Sequence, residues 1–134
     1  MKKLLLILFL VSTTSLLKAH GQVISSDTTV YLYDNIKSQL SDDPATNGSF
    51  IRIPVIYPKV AMQDGTEGTV KVSFIIEKDG SISNIHIVKK VSRELDAETI
   101  RVIKLSPQWK PFILNGQPIR VKYFFSLPFK LNND

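Results

Sequence analysis

Gly68-Thr69-Val70-Lys71-Val72-Ser73-Phe74-Ile75-Ile76-Glu77-Lys78-Asp79-Gly80-Ser81-Ile82-Ser83-Asn84-Ile85-His86-Ile87 is the stretch on which the fold turns. Val70, Val72, Phe74 and Ile76 recur at every second position, the period of a strand with one buried face. Asp79-Gly80 then separates two β-rich runs, which signals a hairpin. On the return strand the apolar set is Ile82, Ile85 and Ile87. A step of three followed by a step of two is out of phase, so a β-bulge is expected near Ser83-Asn84. His86 lies on the face opposite Ile85 and Ile87 and reads as a solvated strand histidine.

Downstream, Glu94 to Leu105 reads as a helix. Leu95, Thr99, Val102 and Ile103 share one arc, while Glu94, Glu98, Arg101 and Lys104 lie largely outside it. Glu94, Asp96 and Glu98 crowd the first turn and Arg101 and Lys104 the last, as the helix dipole favours. Pro107 stops it, and Trp109 beyond it reads as a core plug. After an Asn115-Gly116 turn the last strand alternates through Ile119, Val121, Tyr123, Phe125, Leu127, Phe129 and Leu131. Arg120, Lys122, Ser126 and Lys130 face the other way, with Phe124 the apolar exception. Upstream, Pro58 suits the first turn of a short helix containing Val60 and Ala61 and ended by Gly65. One apolar sheet face covered by two helices gives an α+β fold, a two-layer sandwich with a three-stranded antiparallel sheet.

The first 21 residues read as an export signal. Lys2 and Lys3 precede an apolar run, and Ala19 and Gly21 are the small residues before a cut at Gln22. Only 14 positions separate Lys3 from Lys18, four of them Ser or Thr, whereas a spanning helix needs roughly 20 apolar residues. The alternative is an uncleaved inner-membrane anchor. Of 17 Lys and Arg, the leader takes Lys2, Lys3 and Lys18, leaving 14 against 12 acids, net +2. The remaining cations are scattered, which argues against nucleic acid as a partner. Residues 22–56 read as an extension: Thr28 to Tyr33 a strand, Asn35 to Leu40 a helical turn, Ser41 to Ser49 a surface loop. Phe50 to Ile56 is an edge or extended lead-in, because Pro54 cannot donate to a ladder. Residues 57–134 form the main domain. There is no cysteine, so no disulfide supports the core.

Catalytic chemistry is not written in this chain. His86 has no cysteine or second histidine of the mature chain to join it as a metal ligand. No nucleophile elbow, dinucleotide fingerprint or phosphate loop occurs. Asp79-Gly80-Ser81 lacks the later acidic ligands of a calcium loop. The reading is of a binding protein, not an enzyme, with no cofactor.

Spaced anchors run from Tyr57 to Leu131: Tyr57-Pro58-x-x-Ala61, Glu67-Gly68-x-Val70-x-Val72, Asp79-Gly80-x-Ile82-x-x-Ile85, Leu95-Asp96, Trp109-Lys110-Pro111, Asn115-Gly116-x-Pro118-Ile119 and Pro128-x-x-x-Leu131. Their order and spacing resemble the C-terminal domain of TonB-family proteins. The resemblance implies that the last strand accepts an extended segment, the TonB box of an outer-membrane transporter, as an added strand. By that resemblance the partner-binding residues are Met62 and Gln63 at the first helix, with Arg120, Val121, Lys122, Tyr123, Phe124, Phe125 and Ser126 on the last strand. Many transducers carry glutamine at the position of Met62; here Gln63 stands beside it. Ser15 and His20, five apart, do not stack as the transducers' Ser and His do, and residues 22–56 hold only Pro44 and Pro54 in place of a long Pro-rich spacer. The expectation is a periplasmic binding module whose partner is an outer-membrane TonB-dependent transporter or another periplasmic protein segment. The alternatives are a short membrane-anchored energy transducer and a structural homodimer paired through its edges. If Thr28 to Tyr33 folds back onto the last strand, it protects that edge.

The leader reading predicts cleavage near Gln22 and a periplasmic product, which intact mass will check. A chain that retains Met1 in the inner-membrane fraction supports the anchored transducer instead.

Overall fold

The computed structural model describes residues 28–40, 43–44 and 53–132. The leader, residues 22–27, most of the 41–49 loop and Phe50 to Arg52 lie outside the described residues. The elements are β1 (Val30–Leu32), α1 (Tyr33–Ile36) followed by a 3-10 turn (Lys37–Gln39), α2 (Lys59–Gln63), β2 (Gly68–Ile76), β3 (Ile82–Lys89), α3 (Arg93–Leu105), β4 (Phe112–Leu114) and β5 (Gln117–Phe129).

The sheet order is β1-β5-β2-β3, with β4 paired to β5 as a short hairpin arm. β2 is flanked by antiparallel neighbours on both sides, and its pairing with β5 runs without a break from Gly68↔Phe129 to Ile76↔Val121. The three long strands and their two covering helices are the expected α+β sandwich. The short β4, and the pairing of β1 with β5, extend it. The alternation read from β2 places Val70, Val72, Phe74 and Ile76 fully inside, where they meet Leu95, Thr99, Val102 and Ile103 of α3, all fully buried. Ile119, Val121 and Phe129 of β5 close the same layer.

α3 begins where Ser92 caps it, its hydroxyl accepting from Leu95 N–H at 3.2 Å, one of the orphan donors at any helix start. Glu98 departs from the sequence reading, which put it largely outside the buried arc. It is only 8% exposed, because the chain before α2 crosses over it. Its carboxylate accepts Ile56 N–H at 2.7 Å and both Nε and Nη2 of Arg101 at 2.7 Å, while Arg101 Nη2 also donates to Pro54 O at 2.9 Å. An acid read as solvated is thus the clasp that ties the lead-in to α3.

The bulge on β3 falls where the out-of-phase step put it. Ser73 pairs His86 and Ile75 pairs Ser83, so Phe74 faces two residues, and Asn84 adopts φ 54° to make room. A second irregularity, at Val88, carries no periodicity signal. The Asp79-Gly80 turn is locked to the end of α3's connection. Gly80 O accepts Trp109 N–H at 2.9 Å, and with φ +84° a Cβ at Gly80 would stand 1.8 Å from Trp109 O. Trp109 is the expected plug, buried with its ring 5.9 Å edge-on to Phe74 and 5.8 Å from Tyr123. Pro44, within the stretch read as a surface loop, is buried.

Thermal melts will test these assignments. Phe74→Ala should cost about 3–5 kcal/mol, the usual range for a buried Phe, and Gly80→Ala should be similarly damaging because backbone must move. His86→Ala, an exposed strand position, should leave the midpoint nearly unchanged. A larger loss for His86→Ala than for Phe74→Ala would invert the assigned faces.

Candidate functional site

A sheet can accept another strand only at an edge, where N–H and C=O groups lack partners. This sheet has two margins, and the backbone distinguishes them. The outer side of β3 is interrupted by its two register shifts, and bulges of this kind blunt an edge by twisting it. The side of β5 away from β2 belongs to a strand with nine consecutive regular pairs. Over Arg120 to Lys122 that side is taken by β1, parallel, in register Val30↔Arg120, Tyr31↔Val121 and Leu32↔Lys122. From Tyr123 to Phe129 no strand pairs on it among the described residues.

Pro128 identifies which groups face this margin. A proline sits within a sheet where its missing N–H would point away from the neighbouring strand, and Pro128 pairs opposite Thr69 of β2. N–H groups alternate sides along a strand, so Phe124 and Ser126, in phase with Pro128, turn theirs toward the open side. Tyr123, Phe125 and Leu127 turn theirs toward β2.

The side chains there follow the same alternation. Tyr123, Phe125 and Leu127 point into the core layer, where they are half-buried. Phe124 lies on the outer face, 39% exposed, with Lys71 Nζ 5.5 Å and Lys122 Nζ 5.8 Å from its ring centroid. These contacts place two cations on the face of one aromatic ring.

Arg120 is engaged inside the molecule. Its Nε and Nη2 donate to Glu77 at 2.6 and 3.0 Å, and its Nη1 donates to Thr28 O at 3.0 Å. Glu77 also accepts from the Ser83 hydroxyl. Val121 is fully buried. Of the last-strand residues expected to bind, the structure therefore brings Tyr123 to Ser126 to the open margin and puts Arg120 to Lys122 beneath β1. Met62 and Gln63 are exposed at the end of α2. Tyr57, just before α2, packs on Phe129 at 5.6 Å and donates its hydroxyl to Thr66 O. α2 is thus tied to the far end of β5.

Among the described residues no group of three or more His, Asp or Glu could hold a metal. The ionisable groups are structural: Glu77 is held below the usual carboxylate range first by its hydrogen bonds from Arg120, and Glu98 first by those from Arg101. Burial raises the Tyr33 and Tyr123 phenols.

The family model for the Gram-negative bacterial TonB protein C-terminal matches residues 54–131. This chain belongs to the TonB C-terminal domain family. It is 31% identical over 75 residues to Protein TonB of Pseudomonas aeruginosa, covering 54% of this chain and 22% of that protein; it thus spans about a fifth of that relative's length. The solution structure of a TonB C-terminal domain from Helicobacter pylori is 29% identical and matches with a TM-score of 0.51 over 70% of this chain and 100% of that one. The Pseudomonas aeruginosa TonB C-terminal domain is 30% identical, with a TM-score of 0.48 over 61% of this chain and 83% of that one. Among the described residues no helix is long and apolar enough to cross a membrane.

Glu77, paired with Arg120, and Glu98, paired with Arg101, give the TonB-like domain here a definite acid response. A carboxyl depressed in the folded state stabilises above its ordinary value of 4.5 and loses that contribution as pH falls through the folded value. Denaturation midpoints should therefore drop below about pH 4.5, and Glu77→Gln with Glu98→Gln should flatten that slope. An unchanged slope in the double variant would show that neither pair drives it.

Proposed function

We propose that this protein is a periplasmic TonB-like binding module that takes an extended segment of an outer-membrane transporter as an added strand on β5. One observation carries the reading. β5 is regular through nine pairs with β2 while its other side, from Tyr123 to Phe129, has no strand partner among the described residues. Main-chain hydrogen bonds supply affinity in this mode and alternate side-chain contacts supply specificity. Phe124 and Ser126 offer the N–H groups; Tyr123, Phe125 and Leu127 bound the inner side, and Lys122, Phe124 and Ser126 the outer. Met62 and Gln63 form a second contact, outside the strand. In this reading residues 1–21 are removed on export, and residues 22–56 precede the binding domain.

The test is nuclear magnetic resonance titration of the 22–134 chain with a peptide copied from the periplasmic N-terminal segment of a TonB-dependent transporter. Amide shifts should move first at Phe124 and Ser126, with slowed exchange there. Ser126→Pro should abolish the shifts while keeping the melting temperature within a few degrees, because Pro128 shows that this phase of β5 tolerates a missing N–H. Undiminished binding by Ser126→Pro would rule out strand addition at this margin.

A further inference from the structure

β1 occupies the upstream third of the margin that the partner would use. It runs parallel to β5, so after Leu32 the chain emerges beside Tyr123, and α1 begins where an added strand would continue. The Tyr33 ring stands 5.0 Å from that of Tyr123 and 6.0 Å from that of Phe112. A strand of ordinary length, about five or six residues, laid along Tyr123 to Leu127 meets α1 at its upstream end. Full pairing requires this segment to leave.

The segment is held in a way that permits leaving. β1 makes only three residue pairs, and Val30 and Leu32 are 36% and 45% exposed. Ile36 is the one buried residue of α1. Tyr31 and Tyr33 pack against the core only partly buried, and polar ties add to them: Arg120 to Thr28 O, and the Tyr33 hydroxyl to Asp43 at 2.5 Å. By contrast, the β2–β5 ladder carries nine pairs and the fully buried core. Elements with few buried contacts open well below the global unfolding free energy.

We infer that β1 and α1 form a removable cover on the β5 margin, which competes with the partner strand; this rests on the strand-addition reading above. The apparent affinity for a peptide is then the intrinsic affinity scaled by the fraction of molecules whose cover is open. The cover also protects the edge from pairing with other chains while no partner is present.

The test needs no truncation. The chain has no cysteine, and Leu32 and Lys122 are Cα partners on neighbouring strands, at the spacing of about 4.7–4.9 Å that a disulfide can bridge. In the 22–134 chain carrying Leu32→Cys and Lys122→Cys, oxidation should weaken binding of the transporter-derived peptide by at least about tenfold, and reduction of the same sample should restore it. Ile36→Ala, which loosens the cover and leaves the sequence of β5 unchanged, should bind several-fold more tightly than the parent chain. Equal affinity in the oxidised and reduced forms would overturn the cover while leaving strand addition standing. No binding in the parent chain, the reduced form or Ile36→Ala would overturn the strand-addition reading and the cover with it.

Discussion

The unbroken pairing of β2 with β5 is the constraint on which everything else hangs. It joins two strands about fifty residues apart in the chain, and it sets both faces of the sheet at once. Because side chains alternate strictly, a slip of one residue would turn Val70, Val72, Phe74 and Ile76 outward and bring Lys71 in. The fully buried row therefore specifies the register, and the register specifies which β5 groups face away from β2. Position at the margin is a consequence of core packing, not a separate design.

Around that ladder, polar groups serve as clasps. Glu98 takes the N–H of Ile56 and the guanidinium of Arg101 together, so the segment entering α2 cannot drift from α3. Glu77 and Arg120 bridge the ends of β2 and β5, and Arg120 reaches on to the main chain before β1. These pairs are only partly buried, so each holds its segment in place through geometry, with two guanidinium N–H groups on one carboxylate. The hairpin is fixed differently, by the absence of a side chain: only glycine lets residue 80 approach the Trp109 carbonyl. With no disulfide available, these clasps and the apolar layer hold the domain.

Much of this was legible in the chain, because local periodicity reports directly on a half-buried strand or helix. The rows of β2, β5 and α3 and the bulge at Asn84 all follow from the spacing of apolar residues. What was not legible is non-local or very short. β4 is three residues long, below the length at which alternation means anything. That β1 runs parallel to β5 depends on contacts between residues such as Thr28 and Arg120, far apart in sequence, and no pattern within Thr28 to Tyr33 encodes it. Glu98 looked solvated on a helical wheel because the wheel knows nothing of the chain laid across it. At the candidate site, the strand could be named from its sequence, but the division between its covered and open portions could not. The cations at Arg120 and Lys122 read as partner contacts; in the fold the first is held by Glu77 and the second sits over Phe124.

β5 is paired along one side with β2, and from Tyr123 to Phe129 its other side has no strand partner among the described residues. Residue-resolved amide hydrogen exchange on the unliganded 22–134 chain measures this directly. Tyr123, Phe125 and Leu127, bonded toward β2, should exchange slowly, while Phe124 and Ser126 exchange orders of magnitude faster. Uniform slow exchange from Tyr123 through Leu127 would mean that this margin is already paired and closed to an added strand.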